Sequence, residues 1–220
     1  MNDAAAELCR VGRSLHERGY VHASAGNVSV RLGDEDGGGW LITPTDACLG
    51  TLVPERLARL DASGEQVSGD RASKTLALHR RIYAGAADAR CVIHTHATHL
   101  VALTLAGVWR PADILPPITP YFVMKVGHVP LIPYHRPGDP AAAELVAQAI
   151  DAAAERGAPL RAVMLERLGP VVWHRSPAEA SAVLEELEET ARLWWLTGGR
   201  PAPLDEAQID ELRRHFGAAW

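Results

Sequence analysis

Two histidines one residue apart, His94 and His96, close the short apolar run Cys91-Val92-Ile93. The β-branched residues of that run predict a buried strand over Arg90 to Ile93. Side chains alternate between the faces of a strand, so positions i and i+2 share one, and the two imidazoles should project side by side. Neutral imidazoles so placed make half of a divalent-metal site, with zinc the usual occupant. The alternative is a pair of hydrogen-bonded histidines at a strand end.

Three further segments combine small, hydroxyl and glycine residues where elements should end. Ser24-Ala25-Gly26-Asn27 precedes the first strand, Thr43-Pro44-Thr45-Asp46 follows the second, and Ser73-Lys74-Thr75 opens a helix. Exposed amides at a helix start, with hydroxyls and one lysine, form an anion cradle suited to phosphate. Any one of them alone reads as a turn or a cap. All three beside a His-x-His strand point to a site.

The elements that must position these groups follow from the pattern. Leu8, Val11 and Leu15 give Ala4 to Arg18 a helical period, with Gly19 as C-cap. Val28 to Leu32 and Trp40 to Thr43 read as a hairpin, and Leu57 to Val67 as another around Asp61-Ala62-Ser63-Gly64. Ser73 is the expected N-cap of a helix running to about Ala84. Further helices are expected over Thr98 to Leu105, Ala141 to Ala154 and Glu179 to Leu196. Strands are expected over Val129 to Ile132, Ala162 to Leu165 and Val171 to Trp173. The acidic block Glu185-Glu186-Leu187-Glu188-Glu189 reads as a solvated helix face, and Trp194 and Trp195 as core or subunit contact. Leu204 to Trp220 reads as a helical tail that docks on a neighbouring subunit. Tight hairpins among alternating strands and helices imply a largely antiparallel or mixed sheet within one α/β domain over 1–220.

With 47% hydrophobic and 22% charged residues the chain has an ordinary globular composition. A formal net charge of -5 argues against nucleic acid as the main partner. Cys9, Cys48 and Cys91 lack metal-type spacing, and neither a signal peptide nor a membrane-length apolar run is visible, so a cytoplasmic protein is expected.

Taken together these segments resemble the class II aldolase/adducin family, which includes fuculose-phosphate aldolases and ribulose-phosphate 4-epimerases. The resemblance is carried by Ser24 to Ser29, Ile42 to Thr45, Ser73 through His79, His94-Thr95-His96 and Gly169-Pro170-Val171-Val172, in family order over nearly the whole chain. Within the family the chain is most similar to the 3-oxo-tetronate 4-phosphate decarboxylase subgroup. Here the matching residues include Ser68-Gly69-Asp70, Thr119-Pro120-Tyr121, Pro133-Tyr134 with Arg136-Pro137-Gly138-Asp139, and Leu187-Glu188-Glu189-Thr190-Ala191. The similarity implies an α/β/α sandwich, a homotetramer with active sites at subunit borders, and a divalent metal, most simply Zn2+, with Mn2+ or Co2+ as alternatives. It also implies a phosphorylated sugar acid as substrate and carbon–carbon lyase chemistry. Carried over by position, Ser24, Gly26, Asn27, Thr45, Asp46, Ser73 and Lys74 match phosphate-binding loops, His94 and His96 match metal ligands, and Tyr121 matches a tyrosine that assists proton transfer.

Two positions depart from the family. Its glutamate, a metal ligand and acid/base group four residues before His79, is Thr75 here. Its third histidine ligand, just before Gly169, is Leu168. His79, His128 and Glu166 are the candidate replacement ligands, and Tyr121, His79 or a metal-bound water the candidate acid, with Thr75 in the glutamate's place. Loss of CO2 from a β-keto acid tolerates the missing base better than aldol cleavage does. The expected activity is therefore decarboxylation of a 3-oxo-tetronate 4-phosphate. An aldolase or epimerase acting on a ketose phosphate is the first alternative, and a non-catalytic relative with an altered metal site the second.

Overall fold

Burial of every residue of β5 (Cys91–His94) puts this strand at the centre of the molecule. In the computed structural model, which describes residues 2–220, this strand lies within a single eight-stranded sheet. It pairs antiparallel with β1 (Asn27–Arg31) on one side and β8 (Gly169–His174) on the other. Beyond β1 come β2 (Trp40–Ile42), β3 (Ala58–Leu60) and β4 (Gln66–Ser68). Beyond β8 come β7 (Ala162–Leu165) and β6 (Leu131–Ile132), which pair in parallel, whereas the other strand pairs are antiparallel.

Helices cover both faces. On one side α1 (Asn2–Glu17), α3 (Thr98–Ala106) and α5 (Pro177–Leu196) pack through Leu8, Leu100, Leu184 and Leu187 onto Val28, Val30, Cys91 and Ile93. On the other, α2 (Leu76–Gly85) and α4 (Pro140–Glu155) pack through Leu78, Ile82, Val146 and Ile150 onto Val92, Val171 and Trp173. Each such aliphatic side chain contributes about 1.5–3 kcal/mol on burial. The result is the expected α/β/α sandwich with a central, largely antiparallel sheet. Because Val92 faces α2 and α4, the period of two puts His94 on that same face.

Several boundaries differ from the sequence pattern. The turn at Ser73 to Thr75 delays the helix to Leu76, so Thr75 and not Ser73 is the N-cap; the Ser73 hydroxyl lies 2.9 Å from that of Thr75 and accepts from its amide at 3.4 Å. A π-helical turn, Phe122–Val126, follows the proline-rich connection. The last helix, α6 (Glu206–Phe216), is closed by an Asp205/Gln208 capping box. Its tail folds back on its own chain, with Trp220 stacked 4.4 Å from the His128 ring and 5.4 Å from Phe122. Glu188 departs from the solvated face expected of the acidic block. It is 4% exposed and accepts from the His99 and Leu100 amides at 2.9 and 3.2 Å. A buried carboxylate is tolerated there because it satisfies the otherwise unpaired first amides of α3. No helix among the described residues is long and apolar enough to cross a membrane.

Candidate active site

β1 and β5 pair so that Asn27 stands opposite His94, both on the face under α2. Two glycines let neighbouring loops reach this strand end. Gly26 adopts φ +81°, where a Cβ would lie 2.9 Å from the His94 carbonyl oxygen. Gly169, at φ +134°, brings the start of β8 against the Thr95 carbonyl in the same way. Backbone bonds tie the hydroxyl-bearing loops together: the Ser73 amide donates to the Thr43 carbonyl, and the Val28 amide to Thr43 Oγ1, both at 3.2 Å.

These loops enclose a cavity of about 230 Å³. Ser24, Gly26, Asn27, Thr45, Asp46, Ser73, Lys74 and Thr75 line it together with His94 and His96. The hydroxyl-bearing segments and the paired imidazoles thus share one space. Leu168, at the family's histidine position, is joined by Leu165, Ala142 and Ala143 in an apolar part of the lining that spacing alone does not reveal. Arg136, in the Arg136-Pro137-Gly138-Asp139 stretch, also lines the cavity, which its position in the sequence does not reveal. Nor does spacing single out His22, two residues before Ser24, whose exposed ring meets that of His96 edge-on at 6.4 Å.

His94 Nδ1 donates to the Pro170 carbonyl at 2.9 Å, which leaves Nε2 with a free lone pair, the arrangement that orients a metal-binding imidazole. Burial lowers its pKa to about 4, assisted by the neighbouring His96. The His96 pKa is also lowered, by burial and then by His22. Both rings are neutral near pH 7.

The other proposed ligands are placed elsewhere. His79 is fully buried, with Nε2 2.7 Å from Asn27 Oδ1 and Nδ1 2.7 Å from Ser29 Oγ. An amide oxygen only accepts, so Nε2 carries the proton and Nδ1 accepts from the Ser29 hydroxyl. No lone pair remains for a cation, and the ring cannot reach substrate; His79 positions Asn27 instead. His128 Nδ1 lies 2.7 Å from Asp113 Oδ1, away from the cavity. Glu166 accepts from the Tyr134 amide at 3.0 Å and does not line the cavity. Tyr121 is 62% exposed at the start of the π-helical turn, also outside the cavity.

These positions decide how a divalent cation fits. With a Zn–N bond of about 2.0 Å and tetrahedral angles, two ligating imidazoles stand with ring centres roughly 5 Å apart. The His94 and His96 centres are 5.1 Å apart. The pair fits, but the set does not. Thr75 and Leu168, neither a metal-binding side chain of this kind, line the same cavity, and no group of three or more His, Cys, Asp or Glu side chains among the described residues is gathered to hold an ion. The chain offers half of a catalytic centre.

His79 gives a testable pH dependence. Burial, and next the proximity of His94, lower its pKa from 6.5 to about 3. The unfolded chain therefore takes up a proton below pH 6.5 that the native state refuses until about pH 3. Stability is expected to fall as pH drops through that window, by up to about 1.4 kcal/mol per unit for this group. Urea titrations at pH 7.0, 5.5 and 4.5 check this, and the His79→Gln variant should show a shallower decline.

The model of the Class II Aldolase and Adducin N-terminal domain matches residues 6–195. The chain belongs to this family. It is 57% identical, over 97% of its length and 96% of the relative's, to a 3-oxo-tetronate 4-phosphate decarboxylase of Cupriavidus necator. To an L-fuculose phosphate aldolase of Methanocaldococcus jannaschii it is 30% identical, over 85% of this chain and 93% of that one. The crystal structure of YgbL from Escherichia coli superposes with a TM-score of 0.85 at 41% identity, covering 95% of this chain and 97% of that one. As a class II aldolase family member, the chain has the sheet and helix layers of its structural relatives. Its cavity lies at the end of β5, beside His94 and His96.

Proposed function

We propose that this class II aldolase family member is a carboxy-lyase that removes CO2 from a 3-oxo-tetronate 4-phosphate. The observation that carries the reading is the near full-length 57% identity to a relative bearing that name, against 30% to a phosphate-sugar aldolase. The cavity is consistent with it. Ser24, Asn27, Thr45, Ser73 and Lys74 would anchor the phosphate, and anchoring one end orients the bond that breaks at the other.

The C1–C2 bond of a 3-oxo acid breaks with its electron pair moving onto the C3 carbonyl oxygen, and CO2 leaves from C1. The enediolate then takes a proton at C2, giving dihydroxyacetone phosphate. Charge developing on the oxygen calls for hydrogen-bond donors. The lining groups able to serve are the Thr75 hydroxyl, 2.9 Å from Ser73 Oγ, and the protonated nitrogen of His96. With His79 sealed beneath Asn27, Tyr121 is the remaining protein candidate for the proton donor. Being exposed outside its own cavity, it would act from a neighbouring subunit, which accords with a cytoplasmic homotetramer with sites at subunit borders. Zn2+, Mn2+ or Co2+ would find two imidazoles here, those of His94 and His96.

Supplying the protein separately with 3-oxo-tetronate 4-phosphate and with L-fuculose 1-phosphate tests the reading. CO2 and dihydroxyacetone phosphate should appear in equal amounts from the first, and little turnover from the second. Efficient cleavage of the ketose phosphate with no CO2 from the acid would replace the decarboxylase by an aldolase.

A further inference from the structure

We infer that Arg136 reads the carboxylate of the bound sugar acid while Lys74 holds its phosphate, so that Arg136 sets specificity for an acid over a neutral sugar phosphate. This rests on the proposed substrate class and adds which side chain selects it. Imidazoles aside, Lys74 and Arg136 are the cationic side chains among the described residues that line the cavity. Lys74 sits in the turn before α2, with the hydroxyls; Arg136 sits in the loop between β6 and α4. The two loops touch. A Cβ on Gly138, at φ +77°, would stand 3.8 Å from the Lys74 carbonyl oxygen and 3.9 Å from its Cβ. One ligand in the cavity can therefore meet both cations.

Both are held loosely. Lys74 Nζ is 3.7 Å from Asp46 Oδ2, and Arg136 Nε is 3.9 Å from Asp139 Oδ2, beyond hydrogen-bond range. Asp139 is committed elsewhere: Oδ1 accepts from the Ala141 amide at 3.0 Å as the N-cap of α4, and His135 Nδ1 approaches Oδ2 at 3.7 Å. The Arg136 guanidinium has no hydrogen-bond partner among the described residues, and its side chain is 70% exposed. A planar fork of free donors matches a carboxylate bidentately, as the point charge of a lysine does not.

The chemistry dictates how such a contact should behave. As the C1–C2 bond breaks, negative charge leaves the carboxylate for the carbonyl oxygen. An arginine on the carboxylate therefore binds the ground state at least as well as the transition state, and serves capture of the substrate.

Calorimetric titration of the full-length protein with two probes tests this: 4-phosphoerythronate, and erythritol 4-phosphate, which differs by a hydroxymethyl group in place of the carboxylate. Arg136→Ala should weaken 4-phosphoerythronate about tenfold and leave erythritol 4-phosphate within twofold. Lys74→Ala should weaken both about tenfold or more. In turnover, Arg136→Ala should raise KM about tenfold without lowering kcat, and Arg136→Lys should recover part of the loss. Equal weakening of both probes by Arg136→Ala, no effect on either, or a lowered kcat at unchanged KM would overturn the assignment. If the wild-type protein prefers neither probe but binds both through Lys74, the carboxylate role falls while the phosphate cradle stands. If it binds neither, the substrate reading itself fails.

Discussion

Replacing Thr75 by Glu and Leu168 by His together is expected to raise the affinity of the cavity for Zn2+ by about a hundredfold or more. Both side chains line the same cavity as His94 and His96, whose ring centres already stand 5.1 Å apart. The double substitution adds one anionic oxygen donor and one imidazole to two neutral nitrogens, completing a set of the kind catalytic zinc requires. A hundredfold corresponds to about 2.7 kcal/mol, a modest demand on two new metal–ligand bonds. Competition with a chromophoric chelator measures the change directly. Leu168→His alone should give part of the gain, since the residue sits at the turn that Gly169 presses against Thr95. Wild-type affinity already as tight as that of the double variant would show that the half-site reading is wrong and that a further side chain, such as His22 with its ring 6.4 Å from that of His96, closes the set.

Loss of the His79 ring should have the largest effect on the fold. His79→Leu removes the partner of both Asn27 Oδ1 and Ser29 Oγ, each 2.7 Å from the ring, in a position with no solvent access. Leaving two buried polar groups unpaired costs roughly 1–3 kcal/mol each. The Tyr83 hydroxyl, 2.8 Å from Ser29 Oγ, partly compensates at one of them. The expected destabilisation is about 3–4 kcal/mol, or a fall in Tm of roughly 6–16 °C for a chain of this size. His79→Gln, which keeps a donor near Asn27, should lose less. Because Asn27 lines the cavity, the Leu variant should also bind erythritol 4-phosphate more weakly at temperatures where it remains folded. A variant as stable as the wild type, with undiminished phosphate binding, would remove His79 from its positioning role.

Much of this arrangement was legible in the residues themselves. A period of two places His94 and His96 together whatever surrounds them, and glycine and hydroxyl residues at element ends mark the loops that meet them. What spacing could not show is which lone pairs are spent. His79 lies one helical turn beyond Thr75 and looked able to reach an ion, yet its orientation is fixed by Asn27 and Ser29, which precede it by some fifty residues. His128 was similarly open in sequence and is claimed by Asp113 and Trp220. The acidic block misled for the same reason. Glu188 is drawn inward by unpaired amides of α3, a tertiary demand that charge patterning along α5 does not reveal. Arg136 lies in the chain far from the hydroxyl loops, and only the closure of the Gly138 loop brings it to the same cavity.

Following carboxyl-labelled 3-oxo-tetronate 4-phosphate by 13C nuclear magnetic resonance tests most directly whether this cavity cleaves the bond next to a carboxylate. All of the label should pass into CO2 and bicarbonate, matched one for one by dihydroxyacetone phosphate, at a rate at least a thousandfold above spontaneous loss on the scale of ordinary enzyme catalysis, and Lys74→Ala should slow it. Label released no faster with the protein than without it would contradict the account and leave a family fold that binds without catalysing.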